Sequence, residues 1–160
     1  MKKYKVLFCD LDGTLIETVS GKTFPKGIWD MKLKLDVLDV IKKMKPEFVF
    51  IVTNQGGIEK GIIDESDFEY KIEYIRNSIR CYTESDVDYD YCSINDKTSI
   101  DRKPNPGMVN SFIAFYELNK EDCLMIGDAS GLPGQFSDSD KKCAENAGID
   151  YMDVSEFLKL

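Results

Sequence analysis

A short apolar run, Val6-Leu7-Phe8-Cys9, stops abruptly at Asp10-Leu11-Asp12-Gly13-Thr14-Leu15. An uninterrupted run of this length reads as a strand buried on both faces, the kind found in a parallel sheet covered by helices. Alternate strand residues point to the same side, so Asp10 and Asp12 can converge at the strand's C-terminal end. In open α/β sheets that end is where ligands bind. Two crowded carboxylates need a cation, and hard oxygen donors suit Mg²⁺. A carboxylate can also attack phosphorus and carry it as an aspartyl-phosphate. Taken alone, Asp-x-Asp-Gly is equally a plain Asx-type turn, because Asp and Gly are ordinary turn residues.

The rest of the chain repeats the strand-then-polar-turn pattern. Residues 13–30, rich in Gly, Thr, Ser and Pro, read as a loop or flap. Residues 36–45 place Val37, Leu38, Ile41 and Met44 at helical spacing, and Pro46 ends the helix. Residues 48–52 form a second apolar run. Residues 64–80 are the clearest helix, with Phe68, Ile72, Ile75 and Ile79 on one stripe that reads as core. A third strand is expected over 89–94, a helix over 106–118 with Pro near its start, and a fourth strand over 123–126. A helix over Ser139–Ala147 and a short strand over 150–152 close the pattern. This alternation predicts a three-layer, Rossmann-like α/β fold with a mostly parallel central sheet. No internal repeat or linker divides residues 1–160, so one domain is expected.

Charge and cysteine content narrow the chemistry. The net charge of −8 argues against broad, nonspecific nucleic-acid binding. It is unevenly spread: residues 1–45 carry ten lysines and six acids, a net +4, and the remainder is net −12. A basic face around Lys22 and Lys26 and a set of merely solvated lysines fit this equally. The chain has no histidine, which removes the commonest general base and leaves carboxylates, lysine or a metal to carry catalysis. Cys9, Cys81, Cys92, Cys123 and Cys143 form no Cys-x-x-Cys, so reduced, buried thiols in a cytoplasmic protein are expected rather than zinc. No apolar run approaches the roughly 18 residues of a membrane span, and the basic start followed by early acids does not read as a signal peptide.

Each strand is followed by polar residues: Asp10 and Asp12, then Thr53-Asn54-Gln55-Gly56-Gly57, then Gly127-Asp128-Ala129-Ser130-Gly131, with Arg102-Lys103-Pro104 ahead of a helix. Four such segments in this order resemble the haloacid dehalogenase superfamily of phosphohydrolases over essentially the whole chain. More narrowly, they resemble the 3′-phosphatase domain of polynucleotide kinase-phosphatases. The segments that carry the narrower likeness are Ser20-Gly21-Lys22-Thr23-Phe24-Pro25-Lys26-Gly27, Thr53-Asn54-Gln55, Arg102-Lys103-Pro104, and Gly127-Asp128-Ala129-Ser130-Gly131 with Phe136-Ser137 and Asp140. One position departs: Gln135 stands where that subgroup usually has an acid. No Gly-x-x-x-x-Gly-Lys-[Ser/Thr] occurs, so no kinase domain is expected in this chain.

The resemblance implies a role for each residue. Asp10 is the nucleophile. Asp12 protonates the leaving oxygen and then activates water. Asp10, the Asp12 main-chain carbonyl and Asp128 hold Mg²⁺, with Asp140 acting behind them or through a metal-bound water. Lys103 neutralises charge on the nucleophile and the transferring group. Thr53 and the backbone N–H of Asn54 bind phosphate oxygens, and Lys22, Lys26 and Arg102 are candidate contacts to a nucleic-acid backbone. Each has a plainer alternative. Lys103 reads equally as a surface lysine, Thr53 and Asn54 as a strand-end turn or cap, Asp128 as a turn acid, Asp138 and Asp140 as helix caps; Trp29 reads as a packing anchor for the flap rather than a base-stacking platform.

The gaps between motifs are too short for a cap domain, which suits a large substrate such as a 3′-phosphorylated DNA or RNA end. A separate kinase or ligase would be a compatible partner, and no membrane contact is expected. Two other readings compete. One is a small-molecule phosphatase of the histidinol-phosphate or heptose-bisphosphate type, whose relatives commonly carry a Cys/His zinc loop. The other is a non-catalytic module, whose signature would be loss of a site acid or the lysine.

Overall fold

The computed structural model describes residues 3–160. Its centre is a five-stranded parallel sheet in the order β5-β4-β1-β6-β7. The first strand, β1 (Val6–Cys9), lies between the two runs that follow. A two-residue antiparallel ribbon, β2 (Ile16–Glu17) with β3 (Lys32–Leu33), closes the base of the flap expected over residues 13–30. Helix α1 (Leu35–Met44) then returns the chain to β4 (Phe48–Asn54), and α2 (Glu65–Thr83) to β5 (Asp86–Cys92). Helix α3 (Gly107–Phe115) crosses back to β6 (Cys123–Gly127), and α4 (Ser139–Ala147) to β7 (Asp150–Asp153). A single turn, α5 (Val154–Phe157), follows.

The apolar runs have two cores to fill. Leu7 and Cys9 of β1 and Val49 and Ile51 of β4 face the helices α1 and α2. Val6, Phe8, Phe50 and Val52 face α3 and α4. Alternate residues of one strand thus serve opposite cores, and no polar residue is tolerated between them. Phe50 stacks on Phe112 of α3 with ring centroids 4.2 Å apart.

Several boundaries differ from the sequence expectation, for physical reasons. Strand β4 continues through Thr53 and Asn54, because β5 pairs with it to that depth. Strand β5 begins at Asp86, three residues before the expected start. It is an edge strand, and Asp86, Asp88 and Asp90 break the apolar pattern while still pairing with Phe48, Phe50 and Val52. Helix α2 runs on to Thr83 and starts at the Asp64 cap, whose carboxylate accepts the Asp67 N–H at 3.0 Å. Helix α1 ends as expected before Pro46, with Lys45 in the left-handed conformation. The expectation of five buried thiols holds for four: Cys81 is exposed on α2.

The strand order places β1 where the chain reverses direction across the sheet. β4 and β5 build outward on one side, and β6 and β7 on the other. The crevice beyond the C-terminal end of β1 is the switch point at which α/β sheets bind ligands. Among the described residues, the flap and its ribbon are the only structure between β1 and α1, so no separate cap domain covers this end. Among the described residues, no helix is long and apolar enough to cross a membrane.

Candidate active site

Asp10 is the first residue past β1, and its N–H donates to the Ile126 carbonyl of β6 at 3.1 Å. The chain then turns at Gly13, whose φ of +82° suits glycine. A Cβ at Gly13 would run into the Asp128 carboxylate, so this glycine also lets Asp128 approach. Gly127 does the same for Asp140. Both glycines leave space that carboxylates then fill.

The result is a buried cluster assembled from four segments. Lys103, only 4% exposed, donates to Asp10 Oδ1 at 2.8 Å and to Asp140 Oδ1 at 2.7 Å. Asp10 is 8% and Asp140 1% exposed. The plain readings of Lys103 as a surface lysine and of Asp140 as a helix cap therefore fail. Asp138, by contrast, makes no side-chain cap bond to α4. Asn54 fixes the lysine's backbone: its Nδ2 donates to the Lys103 carbonyl at 3.0 Å, and its Oδ1 accepts the Lys103 N–H at 2.9 Å. The side chain of Asn54, expected only to lend a backbone N–H, is a strut between β4 and the lysine loop.

Burial sets the electrostatics. It pushes the Asp10 carboxyl up to about 6; Lys103 opposes the shift, and Asp128 and Asp12 add to it. Burial, then the nearby Asp10, likewise raises Asp140 to about 6. Asp128 is raised as well, chiefly by burial. Burial works against the Lys103 ammonium, but Asp10 and Asp140 outweigh it and hold the lysine charged. One ammonium is thus left to balance three converging carboxylates, with Asp12 beside them.

Those carboxylates fit a hard dication. Oxygens of Asp10, Asp128 and Asp140 all lie within 4.8 Å of one another. An all-oxygen donor set of this charge suits Mg²⁺ better than a soft metal.

Asp12 is placed differently. Its side chain is exposed, outside the three-carboxylate cluster, and its Oδ2 accepts the Gln55 Nε2 at 2.9 Å. The same Gln55 amide donates to Thr53 Oγ1 at 2.9 Å. Gln55 is not among the expected site residues. The signal that could have found it is its distance of two from Thr53, which on an extended chain puts both on one side. Thr53 is buried at the end of β4. Thr14 adds a long contact, 3.4 Å, from its hydroxyl to Asp10 Oδ2.

The flap lysines do not join the cluster. Lys22 and Lys26 are exposed, and among the described residues the lysine paired with Asp10 and Asp140 is Lys103. Trp29 is 51% exposed and packs edge-on against Tyr70 and Tyr74 of α2, at 5.8 and 5.4 Å, which fits its reading as a packing anchor. Arg102 is half-buried and donates to the Ile94 carbonyl at 3.3 Å.

Comparison with known proteins gives the site a context. The family model described as Polynucleotide kinase 3 phosphatase matches residues 5–158. The chain is 33% identical to the bifunctional polynucleotide phosphatase/kinase of Schizosaccharomyces pombe over 98% of its own length, but it spans 38% of that relative. It is 32% identical to an uncharacterised 20.8 kDa protein of Autographa californica nuclear polyhedrosis virus, covering 99% of this chain and 88% of that one. It is 29% identical to the D-glycero-beta-D-manno-heptose-1,7-bisphosphate 7-phosphatase of Salmonella typhi, covering 92% and 79%. Among solved structures, the fold matches a HAD-like phosphatase of Mesorhizobium loti with a TM-score of 0.70, at 24% identity over 91% of this chain and 69% of that one. It also matches a D,D-heptose 1,7-bisphosphate phosphatase of B. bronchiseptica complexed with magnesium and phosphate, with a TM-score of 0.67, at 18% identity over 97% and 96%.

Proposed function

The chain belongs to the polynucleotide kinase 3 phosphatase family, within the haloacid dehalogenase superfamily of phosphatases, and on that footing we propose that it removes 3′-phosphates from polynucleotide ends in a Mg²⁺-dependent reaction. The observation that carries this reading is the match of the family model to residues 5–158. The uncapped end of the sheet supports it, since a polynucleotide terminus needs an open approach.

Asp10 attacks phosphorus in line, and the bond to the leaving 3′-oxygen breaks as the aspartyl-phosphate forms. Lys103, fixed 2.8 Å from Asp10 Oδ1, holds that carboxylate in place and offsets the charge of the transferring group. Asp12, exposed and aimed by Gln55, protonates the leaving oxygen, then takes a proton from the water that hydrolyses the intermediate. Thr53 and nearby backbone N–H groups bind the phosphate oxygens. Asp10 and Asp128, the Asp12 main-chain carbonyl and, behind them, Asp140 would hold Mg²⁺. Bound there, the ion supplies Lewis-acid polarisation of a phosphoryl oxygen.

The likeness to heptose-bisphosphate phosphatases favours a second reading, in which the same machinery serves a small sugar phosphate. Phosphate release from a 3′-phosphorylated oligonucleotide, its 5′-phosphorylated counterpart, heptose 1,7-bisphosphate and histidinol phosphate, each with and without Mg²⁺, separates the two. Preference for the 3′-phosphorylated end is expected. Turnover confined to a small phosphate would leave the catalytic assignments standing and remove the nucleic-acid substrate.

A further inference from the structure

The loop between β6 and α4 carries Asp128, and it is held in part by side chains to which the reaction gives no role. Three consecutive N–H groups follow Asp128, and each has a partner. Ala129 N–H donates to Asp140 Oδ2 at 3.1 Å, Ser130 N–H to Gln135 Oε1 at 2.7 Å, and Gly131 N–H to the Ser137 carbonyl at 3.0 Å. Gln135 Oε1 also accepts the Leu132 N–H at 3.2 Å. The other end of the same amide, Nε2, donates to Asp153 Oδ2 at 2.8 Å, at the end of β7. Asp153 in turn accepts the Ser130 hydroxyl at 2.5 Å, and the Tyr151 hydroxyl lies 2.5 Å from that same oxygen.

Gln135 therefore ties the backbone two residues past Asp128 to the neighbouring strand. Only a neutral amide can do this here. Its oxygen must accept two N–H groups while its nitrogen faces the Asp153 carboxylate. A carboxylate at 135 would lose that donor and sit against a second negative charge. Asp153 is itself anchored: its Oδ1 accepts the Ser155 N–H at 2.8 Å and caps α5.

We propose that Gln135 and Asp153 form a brace that positions Asp128 for the cation, with Gln135 acting as a positioning residue through Ser130. The proposal rests on Asp128 being a metal ligand and not on which phosphate ester is the substrate. Groups that orient metal ligands typically change metal affinity by about 10–100-fold when removed.

The test is Mn²⁺ binding to the whole protein, followed by electron paramagnetic resonance without substrate, alongside the Mg²⁺ dependence of phosphate release. Gln135→Ala and Gln135→Glu are each expected to weaken Mn²⁺ binding about 10–100-fold while the folded fraction stays near that of the parent. The decisive variant is Gln135→Glu with Asp153→Asn. It returns an amide–carboxylate pair with the roles exchanged, and Asn still caps a helix. Recovery of most of the lost affinity in this double variant is expected. The brace is overturned if the single variants bind Mn²⁺ as the parent does, if affinity falls only in step with unfolding, or if the double variant is no better than Gln135→Glu. Because the binding measurement uses no phosphate ester, these outcomes stand whichever substrate the enzyme prefers.

Discussion

The buried cluster around Lys103 and the flap over residues 18–31 both set lysines near carboxylates, and they hold them by opposite means. In the cluster the ammonium itself is clamped between Asp10 and Asp140 at 2.8 and 2.7 Å. In the flap the carboxylate of Asp30 takes the N–H groups of Ser20 and Lys26 and the Ser20 hydroxyl, at 2.8, 2.9 and 2.6 Å. The flap lysine's backbone is used and its charged end lies at the exposed surface. The two carboxylate settings differ accordingly. Hydrogen bonds, led by the Ser20 hydroxyl, bring the Asp30 carboxyl down to about 2, whereas burial lifts Asp10 and Asp140 to about 6. The flap is a loop whose lysine charge is exposed. The cluster carries more negative than positive charge, an imbalance that a cation would offset.

The sharpest way to break this contrast is to remove the nucleophile. Asp10→Asn is expected to lower kcat by several orders of magnitude while circular dichroism and the melting transition persist. Activity surviving this change would sink the proposed chemistry. Lys103→Met should come next, since it strips the cluster of its one internal cation. Breaking a buried pair typically costs about 3–5 kcal/mol, and added Mg²⁺ should return part of that loss in urea denaturation. The same change at Lys22 should stay within about 0.5 kcal/mol of the parent, as expected of an exposed residue. Equal losses at the two lysines would erase the distinction.

A pH titration of stability sharpens it further. Asp10 and Asp140 bind protons more tightly in the folded state than the ordinary carboxyl at 3.8 does. Their contribution to stability is full below about 4 and is lost as pH rises through about 6. Asp30 and Asp153, held at about 2, have the opposite sign: their contribution is present above 3.8 and fades as pH falls toward 2. In chelator, the melting temperature should therefore drop between pH 4 and 7 more steeply in the parent than in Asp10→Asn, and excess Mg²⁺ should flatten the drop. Matching profiles in the two proteins would refute the assignment of that drop to the cluster. The smallest effect is expected at the flap. Lys22→Ala with Lys26→Ala should weaken binding of a 3′-phosphorylated oligonucleotide and lower the salt slope by about one for each phosphate no longer neutralised, with stability unchanged. An unaltered slope would show that the flap's exposed charge is not aimed at nucleic acid.

Much of the fold is legible because one physical demand repeats along the chain. A strand buried on both faces admits no polar residue, so Val6–Cys9, the β4 run and Cys123–Gly127 announce themselves, and the turns that follow stand out as the site. Edge strands escape that demand. Strand β5 carries Asp86, Asp88 and Asp90, and it starts three residues ahead of the apolar pattern that marks it. The ribbon of β2 and β3 is two residues wide on each side, too short for any periodicity. The site divides in the same way. Asp10, Asp12, Thr53, Lys103 and Asp128 sit at the ends of strands or in motifs; the roles of Gln55, Ser130 and Asp153 exist only through partners distant in the chain.

By itself the sequence determined a three-layer α/β chain whose polar turns gather at one end of the sheet, because apolar periodicity and strand alternation are local properties. Tertiary structure alone decided that Lys103 spans Asp10 and Asp140, that Gly13 and Gly127 make room for facing carboxylates, and that Gln135 meets Asp153. Those facts depend on which strands become neighbours. Burial, which raises the carboxyls of Asp10, Asp128 and Asp140, is likewise a property of the whole packed molecule and of no single segment.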